Sequence, residues 1–95
     1  MKVHWTDNAI AHLSIIYEYI AHDSPLYAKK LIDKIIARSE QIADFPLSGR
    51  KVPEYEKDDI REMIEKSYRI IYRIKSNKID VLAVVHCAQI LTEVI

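Results

Sequence analysis

The chain has 95 residues, 49% of them hydrophobic, which is enough for one core and too few for a second domain. Lys plus Arg and Asp plus Glu balance at 14 each, so the chain is not a uniformly basic nucleic-acid binder, although a local patch can exist at zero net charge. One Gly and three Pro argue against a disordered or low-complexity chain.

Divided after Phe45, the charges run five positive and six negative before, nine and eight after, so neither half is a basic arm. Cys87 is the only cysteine, which excludes an internal disulfide and suits a reducing compartment. The start, MKVHWTDN, has no apolar signal-peptide region, and the longest unbroken apolar run is residues 81–85. The expectation is a cytoplasmic protein without a membrane span.

In chain order, KVHW (residues 2–5) is a short strand. Thr6 or Asp7 can cap the helix that follows, because either side chain accepts a free N–H of the first turn. Ala9, Ile10, Leu13, Ile16, Tyr17 and Ile20 recur at helical spacing as one apolar stripe, and the helix should stop near His22. Ser24 then suits an N-cap and Pro25 the first helical position, where a missing N–H costs nothing. The second helix carries Ala28, Leu31, Ile32, Ile35 and Ile42 on one side and Lys29, Lys30, Asp33, Lys34 and Arg38 on the other; Phe45-Pro46 ends it. The short link between them predicts an antiparallel helical hairpin.

Residues 46–59, PLSGRKVPEYEKDD, form the only long irregular stretch. Residues 60–65 alternate as a strand, and so do residues 68–75, where Tyr68, Ile70, Tyr72 and Ile74 interleave with Arg69, Ile71, Arg73 and Lys75. Residues 79–85 are nearly all apolar, as in a strand buried on both faces. With Asn77 and Lys78 as a two-residue turn, Lys75 lies opposite Asp80, Arg73 opposite Leu82, Ile71 opposite Val84 and Arg69 opposite His86. Tyr68, Ile70, Tyr72, Ile74, Val81, Ala83 and Val85 then share one face. The other presents Arg69, Arg73, Lys75 and His86 as a cationic cluster. Residues 88–95 fit either a last helical turn or an edge strand. The expected architecture is α+β, one domain over residues 1–95. An N-terminal antiparallel helical hairpin packs on a small antiparallel sheet, with the N-terminal strand at its edge.

Several pieces together resemble a known family. They are Trp5 with Ala9, Leu13 and Tyr19-Ile20; Asp23-Ser24-Pro25; Phe45-Pro46 with Gly49-Arg50; Ile60-Arg61-Glu62; YRIIY at 68–72; and the buried strand ending in His86. Their order and spacing resemble the RelE/ParE superfamily, the toxins of type II (plasmid-stabilisation type) toxin–antitoxin modules, over essentially the whole chain. The resemblance implies the α+β fold, a cognate antitoxin partner, no cofactor, and one of two activities. RelE-like members cut mRNA on the ribosome; ParE-like members poison DNA gyrase. The YIA-x-DSP and FP-x-x-GR pattern points to the second. A third reading is a degenerate member that binds an antitoxin and has lost toxicity. Sequence-specific DNA binding by this chain alone is not expected.

If the chain were RelE-like, Arg69 and Arg61 could serve as phosphate donors and His86 could exchange a proton, and the resemblance puts Arg69 at the YR position of a phosphate-binding arginine. Departures weigh against it: Cys87-Ala88-Gln89 after His86 holds no basic residue, and residues 54–59 are mostly acidic where the nucleases are lysine-rich. Arg69, Arg73 and Arg50 are the candidates for a functional basic face. Lys29, Lys30, Lys34 and Arg38 are candidates for steering an acidic antitoxin. Each has a plainer reading. Arg69 can be bonded to a carboxylate, Arg50 can order its loop through carbonyls or Glu54, Lys75 can pair with Asp80, and the helix lysines can simply be solvated. His4, His12 and His22 lack metal-ligand spacing. Cys87 beside His86 is no nucleophile–base pair, because adjacent strand residues face opposite ways.

Overall fold

The computed structural model describes residues 1–91. Both helix starts follow from local chemistry. The Thr6 side chain accepts the Ala9 N–H at 3.2 Å and opens α1 (Asp7–Ala21). Ser24 accepts the Tyr27 N–H at 3.2 Å, and Pro25 begins α2 (Pro25–Asp44). Phe45 closes α2, and a single 3₁₀ turn, Pro46–Ser48, leads into the irregular stretch. No helix among the described residues is long and apolar enough to cross a membrane.

The five strands are β1 (Lys2–Trp5), β2 (Arg50–Lys51), β3 (Ile60–Glu65), β4 (Tyr68–Ile74) and β5 (Lys78–His86). They form one sheet in the order β1-β5-β4-β3-β2. The expected meander of β3, β4 and β5 is present, and β1 lies at the edge, paired parallel to β5, so the sheet is mixed. The two-residue β2 at the other edge was not expected.

The helical hairpin covers one face. Ala9, Ile16, Leu31, Ile35 and Ile42 pack there on Ile70, Tyr72, Ile79, Val81 and Val84. The stripe predicted for α1 runs wide of the core at its margins: Ile10 and Tyr17 are exposed. Among the described residues no helix covers the far face. Val52, Ile60, Ile71, Leu82, Ala83, Val85 and Leu91 make a second core there, with Tyr55 at its margin, roofed by the irregular stretch and the end of the described chain. Residues 88–91 are neither helix nor strand, and the rest of the undecided tail lies outside the described residues.

The predicted β4–β5 register is corrected twice. Ile74 faces Ile79 and Arg73 faces Asp80, so the two-residue turn is Ser76-Asn77, one residue earlier than expected, with the Lys75 N–H on the Lys78 carbonyl. The ladder then slips between Ile71 and Tyr72, where Leu82 is the extra residue of a bulge. Beyond the bulge the side chains of β5 exchange faces relative to expectation. Ala83 and Val85 join Ile71 and Arg69 on the far face, while Val84 and His86 share the helix-covered side with Ile70 and Tyr68.

Candidate functional site

The far face is organised by an ion cluster on β3 and β4. Arg69 is nearly buried, its side chain 6% exposed, and Glu62 is fully buried at 0%. A carboxylate there requires charged, hydrogen-bonded partners. Arg69 Nε donates to Glu62 Oε1 at 2.6 Å, and Arg50 Nε donates to Glu62 Oε2 at 2.5 Å. The Arg69 Nη atoms clamp both oxygens of Glu54 at 2.9 and 2.7 Å, a bidentate pair, and Nη1 also reaches the Gln89 carbonyl at 3.3 Å. Glu54 Oε2 accepts the Leu91 N–H at 3.1 Å. One arginine thus ties a loop, two strands and the end of the described chain together.

The predicted cationic face is therefore counterbalanced. Glu54, Asp58 and Asp59 of the acidic stretch serve as counterions for strand cations: Glu54 for Arg69, Asp58 for Lys51 at 3.0 Å, Asp59 beside Arg73 at 3.7 Å. Arg50 bonds Glu62 instead of the expected Glu54. Lys75 does meet Asp80, at 3.0 Å, with His4 and Lys78 on the same carboxylate.

The three residues assigned to RelE-like catalysis are not brought together. Arg61 pairs across from Tyr72, on the sheet face opposite Arg69, and its guanidinium bonds the Gly49 and Asp58 carbonyls at 3.0 Å each. His86, one register step from its expected place opposite Arg69, lies across from Tyr68 in edge-on contact, ring centroids 5.5 Å apart. Its Nδ1 accepts the Ala88 N–H at 3.0 Å. Of the helix cations, Lys29 pairs with Asp33 at 2.8 Å and Arg38 with Glu65 at 3.4 Å, leaving Lys30 and Lys34 without a partner among the described residues.

A groove of about 510 Å³ opens between α1 and the ends of β4 and β5. Ile15, Tyr19, Tyr68 and Val84 make its walls, with His12 and His86 as polar points. Sequence reasoning passed over His12, Glu54 and Glu62 as site residues. Glu62 carried a readable signal: it interrupts the stripe formed by Ile60 and Ile64, where a carboxylate calls for an arginine. His12 carried none.

Arg69 pulls the Glu54 carboxyl down to about 2 through the bidentate bond, helped by the Leu91 N–H and opposed by burial. Glu54 therefore contributes stability that is complete above the free glutamate value and is lost as pH falls from there through about 2. The loss should be on the order of 2–3 kcal/mol. Urea unfolding at stepped pH measures it, and Glu54→Gln should remove that part of the acid slope.

Comparison with known proteins agrees with this fold. The family described as "ParE toxin of type II toxin-antitoxin system, parDE" matches residues 3–91. The chain is 33% identical over 90 residues to Putative toxin Y4kP of Sinorhizobium fredii, covering 93% of this chain and 90% of that protein. It is 27% identical over 90 residues to Toxin RelE2 of Caulobacter vibrioides, covering 94% and 98% respectively. Among solved structures, a chain of the chromosomal ParDE toxin–antitoxin system from P. aeruginosa superposes with a TM-score of 0.75 at 25% identity, covering 90% of this chain and 95% of that one. A family match over nearly the full length, a relative above 30% identity and a shared fold lead to one conclusion: the chain belongs to the ParE toxin family of type II toxin–antitoxin systems.

Proposed function

We propose that this toxin acts by binding DNA gyrase, in the cytoplasm, and that a cognate antitoxin holds it inactive. The observation that carries this reading is the state of Arg69. Its guanidinium is buried and every nitrogen is engaged by Glu62, Glu54 or both Glu54 and the Gln89 carbonyl. A phosphate donor must present free N–H groups to an incoming oxyanion, and this one has none to present. With Arg61 on the other face and His86 beside Tyr68, no general acid–base constellation of these residues converges on one point among the described residues. An activity that needs only a surface fits better than one that needs a phosphate cradle.

The same reading gives the antitoxin two features to use. The apolar groove beside α1 takes an apolar segment, and Lys30 and Lys34 on the outer face of α2 attract an acidic one. Lys29 and Arg38, each paired with a carboxylate, would join in only by exchanging Asp33 or Glu65 for an acidic group of the antitoxin.

The second reading is ribosome-dependent mRNA cleavage, favoured by the similarity to a protein named Toxin RelE2. It requires Arg69 to exchange Glu54 for a phosphate. A member that keeps its antitoxin and has lost toxicity is the third. Purified chain added to a gyrase supercoiling reaction separates them. Inhibition, relieved by excess antitoxin, is the expected result. Gyrase activity unchanged, with mRNA cut in a translating extract, would transfer the proposal to the nuclease, and no effect in either would leave the degenerate binder.

A further inference from the structure

The edge of β5 is finished by side chains where β1 runs out. β1 pairs with β5 only as far as Trp5 opposite Val81, and the chain then turns into α1. Beyond that point the Thr6 hydroxyl donates to the Val81 carbonyl at 2.9 Å and the Asn8 amide to the Leu82 carbonyl at 3.0 Å. The next edge group is a donor, the Val84 N–H, and it donates to His12 Nδ1 at 3.1 Å. The first two contacts are indifferent to pH across the physiological range. The third exists only while Nδ1 keeps its lone pair.

We infer that His12 is a proton-operated clasp: neutral, it fastens α1 to the unfinished edge of β5, and protonated, it releases Val84 and loosens the groove between them. The contact fixes the tautomer, since an accepting Nδ1 leaves the proton on Nε2. A second proton turns the acceptor into a donor facing a donor. Among the described residues lining the groove, none carries a charge that would offset the new one. The titratable groups lining the groove are Tyr19 of α1, Tyr68 of β4 and His86 of β5, and no carboxylate, lysine or arginine lines it among the described residues. His4 makes the contrast, because its ring meets the Asp80 carboxylate at 3.2 Å.

The sign follows from the same geometry. Burial lowers the His12 pKa below the ordinary histidine value, so the unfolded chain binds the proton more readily. The clasp contributes fully above the ordinary histidine range, and its contribution is lost as pH falls from there through the folded value. The inference stands on contacts within this chain and does not depend on which target the toxin binds.

Hydrogen exchange of individual backbone amides in the free protein tests it. Between pH 7.5 and 5, the protection factor at Val84 should fall by about tenfold relative to that at Arg69, whose strand pairing involves no histidine. His12→Gln, whose side-chain oxygen accepts the same bond without titrating, should hold the ratio constant. A flat ratio in the parent chain, or an equal fall in His12→Gln, would overturn the clasp. Should the variant fail to fold, ¹⁵N shifts of the parent His12 ring decide. The Nε2–H tautomer at pH 7.5, with the Val84 amide shifting at the same midpoint, is expected; the other tautomer, or Val84 indifferent to the ring's titration, overturns it.

Discussion

Arg69→Ala is expected to cost the domain about 3–5 kcal/mol, the usual penalty for removing one partner of a buried ion pair. Glu62 would keep only Arg50, whose own side chain is 66% exposed, and Glu54 would lose its hold on the β4 strand while still carrying the Leu91 N–H. For a domain of this size the thermal midpoint should drop by roughly 15 °C or more. Calorimetry checks it, and a midpoint within a degree or two of the parent would show that the cluster is not structural. The prediction bears on function too. Loss of toxicity in Arg69→Ala would report unfolding as readily as a missing phosphate contact. The informative variant removes the pair together: Arg69→Met with Glu62→Leu replaces buried charge by apolar volume, which is often neutral or stabilising. If that protein is folded and still toxic, Arg69 does not touch a substrate.

Gly49→Ala should be strongly damaging for the addition of a single methyl group. The Tyr72 ring is fully buried, and its hydroxyl donates to the Pro46 carbonyl at 2.7 Å and accepts the Gly49 N–H at 3.1 Å. A Cβ at Gly49 would run into that hydroxyl and stand 2.6 Å from the Glu62 carbonyl oxygen. Neither neighbour can yield, one being a buried tyrosine held at two points and the other strand backbone. The expected cost is about 2–3 kcal/mol, at the upper part of the range for overpacking. Tyr72→Phe alone should cost about 1–2 kcal/mol by orphaning the Gly49 N–H and the Pro46 carbonyl. The double variant should cost clearly less than the sum, because deleting the hydroxyl also removes the closest clash. Chemical denaturation of the four proteins measures this, and strict additivity would contradict the contact.

Much of this architecture was legible because it is written in local chemistry. Thr6 and Ser24-Pro25 announce helix starts by side chains that satisfy free N–H groups, and the alternation through 68–74 announces a strand. The register was not legible. Residues 81–85 are apolar without interruption, so no polar side chain marks which face each belongs to, and the extra residue at Leu82 leaves no trace in the sequence. That one bulge moved His86 away from Arg69 and with it dissolved the proposed cationic cluster. The parallel pairing of β1 depends on contacts between the two ends of the chain, which no local pattern encodes.

The candidate site was half legible for a different reason. Arg69 was singled out by its position and could be read two ways. Which way depended on whether a carboxylate met it, and the acidic loop that supplies Glu54 reads in sequence only as a segment repelling RNA. Folded, those acids are counterions for the strand cations, so the charge that argued against a nucleic-acid surface is also what neutralises it. His12 sits on α1 between two apolar neighbours in the stripe, and only the tertiary fold reveals that its ring completes a strand edge.

Pulse-labelling of DNA and protein synthesis in bacteria, within minutes of inducing the chain alone, separates gyrase binding from RNA cutting. DNA synthesis should stop first while translation continues, and co-expressed antitoxin should restore it. Translation stopping first would rule out gyrase as the target and return Arg69 and its neighbours to a catalytic role.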